Sequence, residues 1–187
     1  GVLAPIQRSD LAFTMHMLYH LSETGTCAIV EFPGVLYRGG AEKKIREYLI
    51  KNNFVDTVIQ LPANLFFGVG IATCIIVIKK NKKDNKILFV DASGECEKKG
   101  DKNKLEDKNQ NRIVNAYQER KEEQYFTKLV SNDEVLANGA NLSVSSYVEK
   151  EDKREVIDIV ALNEEIEALS KDVRNRSVEL DEMIKEL

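Results

Sequence analysis

The run from Leu61 to Lys80, LPANLFFGVGIATCIIVIKK, constrains the fold of this 187-residue chain more than any other stretch. Its second part, Ile71 to Ile78, is apolar except for Thr73, which predicts a strand buried on both faces of a sheet. Immediately before that part, Phe66 and Phe67 stand on a glycine-containing loop. Aromatic side chains on a loop at the mouth of a strand are typical of a binding site, so we place a candidate site there.

The remaining pattern alternates between helix and strand, which predicts an α/β sheet. The Val55 and Ile71 strands are separated by a short segment without a helix, so we expect them to form an antiparallel pair at the end of an otherwise parallel sheet. On the first helix we expect an inward stripe of Leu11, Met15, Leu18 and Tyr19. The predicted strands are Thr26–Phe32, Val55–Leu61, Ile71–Lys79 and Lys86–Asp91, and the predicted helices run over about 10–22, 41–52 and 113–123, with a short one capped by Ser131 or Asn132.

The segment from Gly94 to Arg112 is rich in lysine, aspartate and asparagine, which favours a mobile, solvated linker. We therefore expect three parts. Residues 1–93 form the main α/β region, residues 94–150 a charged linker with a helical extension, and residues 151–187 a coiled-coil-like helix.

Apolar residues in the last part follow a heptad spacing. A stripe this narrow suits a helix that pairs with another helix, although an amphipathic helix folded back on its own domain has the same pattern. Arg176 interrupts the stripe, and a polar residue at such a position fixes register and partner choice, which favours a partner. The stripe, called the heptad seam below, consists of Leu162, Ile166, Leu169, Val173, Arg176, Leu180, Met183 and Leu187.

The overall balance of charge gives little indication of a partner. A net charge of -4 means that the chain as a whole has no excess of positive charge for binding nucleic acid, although a local patch or a larger assembly can still supply positive charge. The three scattered cysteines, Cys27, Cys74 and Cys96, form neither a zinc motif nor a disulfide framework. No apolar run is long enough for a membrane span and no signal peptide is recognisable, so we expect a cytoplasmic protein without membrane contacts.

Common catalytic motifs are not found in the sequence: it contains no dinucleotide-binding glycine pattern, P-loop, zinc-protease helix or serine nucleophile elbow. His16 and His20 stand one helical turn apart, but no third ligand follows nearby, so surface or packing histidines are the favoured interpretation.

A long part of the chain, from DLAFTMHMLYH at Asp10 through LPANLFFGVGIATCIIVIKK, resembles N6-adenine DNA methyltransferases. It is most similar to the modification subunit of type I restriction–modification systems. The segments NKL at Asn103, RIVNAYQER at Arg112 and NLSVSSYV at Asn141 resemble that subunit's downstream region. The resemblance implies the C-terminal half of a Rossmann-like methyltransferase sheet, mixed and with an antiparallel terminal strand pair, plus a helical C-terminal tail.

The resemblance gives the aromatic pair a role. Adenine must leave the duplex before its amino group is methylated, and a flipped base needs flat apolar walls. In this family the loop before the penultimate core strand supplies one wall, which here is Asn64-Leu65-Phe66-Phe67-Gly68. Phe67 is the candidate to stack on the adenine, and Phe66 is expected to pack inward as an anchor. The alternative is that both phenylalanines belong to the core.

Two further site predictions follow from the resemblance. The segment Asp10-Leu11-Ala12-Phe13 is similar to the one that lines the adenine of S-adenosylmethionine, which makes Asp10 and Phe13 cofactor candidates, unless Phe13 simply packs its helix on the sheet. Arg38, Gly39 and Gly40 open a helix, where backbone N–H groups can meet a DNA phosphate, although a loop without any ligand fits as well.

The family's Asn-Pro-Pro-Tyr/Phe catalytic motif and its glycine-rich cofactor motif are not in these 187 residues. We therefore expect a C-terminal fragment that is inactive alone, binds S-adenosylmethionine weakly and self-associates through an uncovered sheet edge. The expected partners are DNA, the specificity subunit and the restriction subunit. The alternative is a catalytically inactive scaffold derived from the same family. A metal or thiol enzyme built on His16, His20 or the cysteines is a third and less supported class.

Overall fold

A five-stranded mixed sheet forms the centre of the first of two compact units, which comprise residues 1–151 and 152–187. The structure, a computed structural model, describes residues 3–151 and 158–185. The strands are β1 Thr26–Glu31, β2 Val55–Gln60, β3 Cys74–Lys79, β4 Lys86–Asp91, β5 Glu97–Lys99, β6 Lys102–Lys104 and β7 Thr127–Ser131. The α-helices are α1 Asp10–His20, α2 Ala41–Lys51, α3 Asp107–Glu119, α4 Asn132–Ala137 and α5 Ile159–Lys185, with short 3₁₀ turns at Pro33–Leu36 and Val144–Ser146.

The strand order in the sheet is β1-β3-β2-β4-β7. The antiparallel pairing of β2 with β3 is confirmed. The expectation that this pair ends an otherwise parallel sheet is wrong, because β3 lies between β1 and β2 and is antiparallel to both. Among the described strands of this sheet, the only neighbours that pair in parallel are β2 and β4. Strand β3 can occupy this position between two other strands because its residues are apolar on both faces.

Two apolar layers cover the two faces of the sheet. On one face, Ile45 and Leu49 of α2 pack with Leu11 and Leu18 of α1 against the sheet. On the other face, Ile113 of α3 packs with Leu88 and other strand residues. The sheet is therefore the middle layer of an α/β fold, as the alternating sequence pattern predicts.

The inward face of α1 differs in one residue from the prediction. Leu11 and Leu18 are buried and Met15 is half-buried, but Tyr19 is exposed. Thr14 occupies the buried position that the apolar pattern does not reveal. It is tolerated there because its hydroxyl donates to Glu31, so neither polar group lacks a partner.

The segment expected to be a linker contains regular secondary structure. Strands β5 and β6 pair in register as an antiparallel hairpin, and α3 begins at Asp107 with a capping box. Opposite charges hold these elements together, with Lys108 bonded to Glu97 and Arg112 to Glu95. Strand β7 then pairs with β4, which brings the extension into the main sheet.

The second unit contains the long helix α5. Its heptad seam is exposed at Leu162, Ile166, Leu169, Val173, Leu180 and Met183, while Leu187 lies outside the described residues. Arg176 donates from Nε to Asp172 Oδ2 over 2.9 Å within the same helix. No helix in the described parts of the chain combines the length and apolarity needed to cross a bilayer.

Candidate functional site

One edge of the sheet gathers most of the predicted site residues. Strands β1, β2 and β4 end at this edge with Glu31, Gln60 and Asp91, and β3 starts there with Cys74. The strand register shows that these ends are neighbours, since Cys74 lies opposite both Glu31 and Gln60. Loops that leave one sheet edge are where ligand sites are commonly built.

Residues 62–73 form the loop between β2 and β3, called the aromatic loop below. The Leu61 N–H donates to Thr73 O over 2.9 Å, and Gln60 Nε2 reaches the same carbonyl over 3.1 Å, which closes the base of the loop. Asn64 has a φ of +55° and Gly68 a φ of +71°. Both are in the left-handed region that asparagine and glycine adopt most easily, so the two turns of the loop follow from its residue types.

The phenylalanines of the aromatic loop are not core residues. Phe67 is 100% exposed and Phe66 is 41% exposed. The inward anchor of the loop is Leu65 rather than the predicted Phe66, because Leu65 is the side chain that packs against the apolar layer under α3. The structure thus excludes the alternative in which both phenylalanines are buried, and it presents the Phe67 ring to solvent.

A second element contacts the aromatic loop, and sequence reasoning did not identify it. The Asn103 side chain on β6 donates from Nδ2 to Ala63 O over 2.8 Å, and its backbone N–H donates to Asn64 O over 3.1 Å. Lys102 Nζ lies 3.3 Å from Phe66 O. The NKL segment was the available signal, because Asn103 is its first residue.

Glu31 is a buried carboxyl group at the same edge. Its Oε1 accepts from Thr14 Oγ1 over 2.7 Å. Desolvation raises the pKa of Glu31, and the nearby Asp10 carboxylate raises it further, against the lowering effect of the Thr14 hydrogen bond. The contact between Thr14 and Glu31 fixes α1 beside β1 and brings Asp10 close to this edge.

The other two predicted groups stand on α1 and just before α2. Phe13 is 63% exposed on the outer face of α1, so it does not pack that helix onto the sheet. Arg38 turns back on its own loop, where Nη1 lies 3.4 Å from Glu42 Oε1 and the guanidinium covers the Phe32 ring at 5.1 Å. Gly39 and Gly40 are exposed, and Gly40 precedes α2 with a φ of +68°. Within residues 3–151, no hydrogen bond, ion pair or ring contact joins Phe13 or Arg38 to the aromatic loop.

Thiol and metal chemistry find little support at this edge. Burial raises the pKa of the Cys74 thiol to about 12, so the thiol stays protonated and is a poor nucleophile near neutral pH. His16 and His20 are exposed with ring centroids 4.5 Å apart. No group of three or more potential metal ligands occurs among the described residues. The Thr73 hydroxyl is buried without a hydrogen-bond partner in the described chain, at the base of the aromatic loop.

A mixed α/β sheet with its loops gathered at one edge defines the general class, and similarity to known proteins defines the family. Residues 1–156 match the model of the N-6 DNA methylase family. The chain is 44% identical to the type I restriction enzyme MpnII methylase subunit of Mycoplasma pneumoniae, over 99% of this chain and 35% of that protein. It is 34% identical to the MjaVII methylase subunit of Methanocaldococcus jannaschii, over 98% of this chain and 32% of that protein.

A solved structure agrees with these relatives. The crystal structure of the type I restriction-modification methyltransferase subunit from Streptococcus thermophilus superimposes with a TM-score of 0.77 at 42% identity, over 79% of this chain and 32% of that one. The chain therefore belongs to the N-6 DNA methylase family, as its sequence resemblance predicts. It spans about a third of the length of the curated relatives named above.

Proposed function

We propose that this chain acts as part of the modification subunit of a type I restriction–modification system, an S-adenosylmethionine-dependent adenine N6-methyltransferase. The observation that carries the proposal is the fully exposed ring of Phe67, on a loop built at the shared edge of β1, β2 and β4. A flipped base binds by stacking on such a ring, and one base–aromatic stack contributes about 1–3 kcal/mol. In this proposal Phe67 forms one wall of the adenine pocket, with Asn64, Phe66 and Gly68 shaping the loop around it.

The methyl donor supplies the transferred methyl group when it is bound. Asp10 and Phe13 lie three residues apart on α1, so a carboxylate and an exposed ring are available to polar and adenine groups of the donor. We propose that the chain alone binds the donor weakly and transfers no methyl group, because the family's glycine-rich and Asn-Pro-Pro motifs are not among its 187 residues. Labelled methyl groups incorporated into DNA by the purified chain would contradict this.

Partner contacts are assigned to two other surfaces. The exposed heptad seam of α5 suits docking to helices of a specificity subunit, which in turn connects to DNA and the restriction subunit. The loop Arg38–Gly40 is proposed as a DNA phosphate contact, supported by the glycine-opened start of α2. Strand β1 is an outermost strand of the sheet, with a neighbour on one side only. Val30 on β1 and Phe32 just after it are exposed, which supports self-association of the isolated chain.

The Phe67→Ala substitution tests the proposal in the complete methyltransferase. We expect methylation of target DNA to fall between about 5-fold and 150-fold, the range that the loss of one stack predicts, with donor binding unchanged. Val69→Ala, on the same loop, is the matched control and should retain activity. Unchanged methylation by Phe67→Ala would remove Phe67 from the pocket. No methylation by the complete wild-type protein would favour the inactive scaffold instead.

A further inference from the structure

Each hydrogen bond that the described residues show between the β5–β6 hairpin, residues 97–104, and the aromatic loop reaches the first half of the loop. These bonds reach Ala63, Asn64 and Phe66. The second half begins at Phe67. Among the described residues, the only hydrogen bond made by residues 67–72 is the internal one from Val69 N to Phe66 O, at 3.3 Å. The hairpin therefore holds the chain up to the residue that precedes the exposed ring.

We propose that Asn103 is a positioning residue for Phe67, so that the hairpin sets the conformation of the base-facing loop. Its relevance to methylation rests on the proposed function. Asn103 makes two hydrogen bonds, at 2.8 Å and 3.1 Å, to consecutive carbonyl groups of Ala63 and Asn64. Asn64 is the first of the two left-handed residues of the loop, so fixing its carbonyl fixes the direction in which the next residues leave.

The hairpin can serve as a support because it is itself anchored. Glu97 of β5 is bonded to Lys108 of α3, and Lys99 Nζ lies 3.3 Å from Glu106 Oε1 at the α3 cap. Helix α3 packs on the sheet through Ile113. A continuous path of contacts thus runs from the core through α3 and the hairpin to the backbone beside Phe67.

The chemistry of residue 103 makes the proposal testable with one isosteric change. Asn103→Asp preserves the size of the side chain but replaces the amide donor with an acceptor that faces the Ala63 carbonyl. Lys102→Met removes the contact to Phe66 O independently and leaves Asn103 intact. Asn111→Asp, at an exposed position of α3, is the matched control because it makes the same chemical change away from the loop.

The first measurement uses the full 187-residue chain, which contains no tryptophan. Phe67→Trp therefore provides a single fluorescent reporter at the loop. We expect the steady-state anisotropy of this indole reporter to fall by about half in Asn103→Asp, because the loop then becomes free for nanosecond motion. The anisotropy should fall less in Lys102→Met and stay unchanged in Asn111→Asp. Circular dichroism checks that each variant keeps its fold, and Lys102→Met carries the test if Asn103→Asp unfolds. Equal anisotropy in all three variants and the reporter parent would overturn the proposal.

The second measurement separates this inference from the proposed function. In the complete methyltransferase with native Phe67, Asn103→Asp should lower kcat/KM for target DNA about tenfold, because the stacking ring is misplaced. It should also reduce the fluorescence increase of 2-aminopurine at the target base. Donor binding should stay unchanged. A purely structural role would not selectively change the base-flipping signal. If the indole reporter becomes mobile but Asn103→Asp methylates DNA like the wild type, the hairpin still positions the loop, and the proposed role of Phe67 at the base is wrong.

Discussion

At the scale of single residues, Glu31 shows how a polar group is kept inside the fold at a thermodynamic cost. It is 7% exposed, and its hydrogen bond to Thr14 satisfies one carboxylate oxygen. Burial nevertheless disfavours the charged form, so the pKa of Glu31 is raised. Because the unfolded chain releases this proton at lower pH than the folded chain, stability contributed by the protonated group is lost as pH rises from the unfolded pKa through the folded pKa.

Glu31→Gln should therefore make the chain more stable than the wild type at pH 7. The glutamine Oε1 can still accept from Thr14, whereas the buried charge is gone. The gain should vanish below the unfolded pKa of glutamate, since the wild-type carboxyl group is then neutral as well. Denaturant unfolding between pH 4 and 8 measures this difference. Glu23→Gln, at an exposed position, is the control, and a Glu31→Gln variant that is less stable at pH 7 would contradict the expectation.

Sequence patterns predict some of these positions better than others. The exposed position of Phe67 is predictable because its place on a loop before a strand is visible in the sequence. The prediction for Tyr19 is wrong because an amphipathic tyrosine at the border of an apolar stripe can face either way. Arg46 escapes sequence reasoning because its burial depends on distant carbonyl groups: Nε donates to Ala140 O and Nη1 to Val35 O. A local pattern carries no information about such partners.

At the scale of elements, strands that contain a run of apolar residues are predictable and strands that are polar throughout are not. The bounds of β4 match the predicted Lys86–Asp91, and β1 and β2 each end one residue earlier than predicted. Strand β3 begins at Cys74 rather than at the predicted Ile71, which is exposed in the aromatic loop. Strands β5 and β6 have the sequences EKK and KNK, which are polar throughout, so no apolar alternation marks them. Their order comes from tertiary ion pairs and from contacts to the aromatic loop.

Asp56 illustrates how such tertiary contacts fasten an element. This buried carboxylate accepts from Arg120 Nη1 and from Lys79 Nζ, each over 3.1 Å. Arg120 lies directly after α3 and also donates to Lys86 O over 3.2 Å. The carboxylate therefore ties the C-terminal end of α3 to strands β2, β3 and β4, at the end of the sheet away from the aromatic loop.

Asp56→Asn should destabilise the chain by about 2 kcal/mol. This is less than the ~3–5 kcal/mol for breaking a fully buried ion pair, because Lys79 and Arg120 keep partial contact with water. Asp101→Asn makes the same change at an exposed carboxylate and should cost less than about 1 kcal/mol. Urea unfolding compares the two variants. Similar losses in both would show that Asp56 is not the fastening residue.

At the scale of the whole molecule, the two units expose apolar surface of different kinds. The first unit exposes scattered apolar side chains, many of them aromatic, whereas α5 exposes a seam at heptad spacing that is interrupted at Arg176. A seam of this kind stabilises association through knobs-into-holes packing. The spacing is readable from sequence alone because it depends only on local helix geometry.

In the proposed complex, Leu169→Asp should weaken binding of the modification subunit to a specificity subunit by about 100-fold or more. It removes a seam contact worth about 1.5–3 kcal/mol and places a charge in an apolar interface. Asn175→Asp introduces a carboxylate at an exposed position outside the seam and serves as the matched control. Isothermal titration calorimetry gives both affinities. Equal binding by the two variants would show that the seam does not form the interface.

The position of β3 also determines when the sheet can be completed during synthesis. Strand β1 leaves the ribosome long before β3, yet β3 is its neighbour, and β2 also pairs with β3. Until β3 emerges, the nascent chain carries two apolar strands that cannot join each other directly. Pairings this distant in sequence slow folding, so β1 stays without its sheet neighbour until β3 has been made, and β2 gains its second neighbour only when β4 follows.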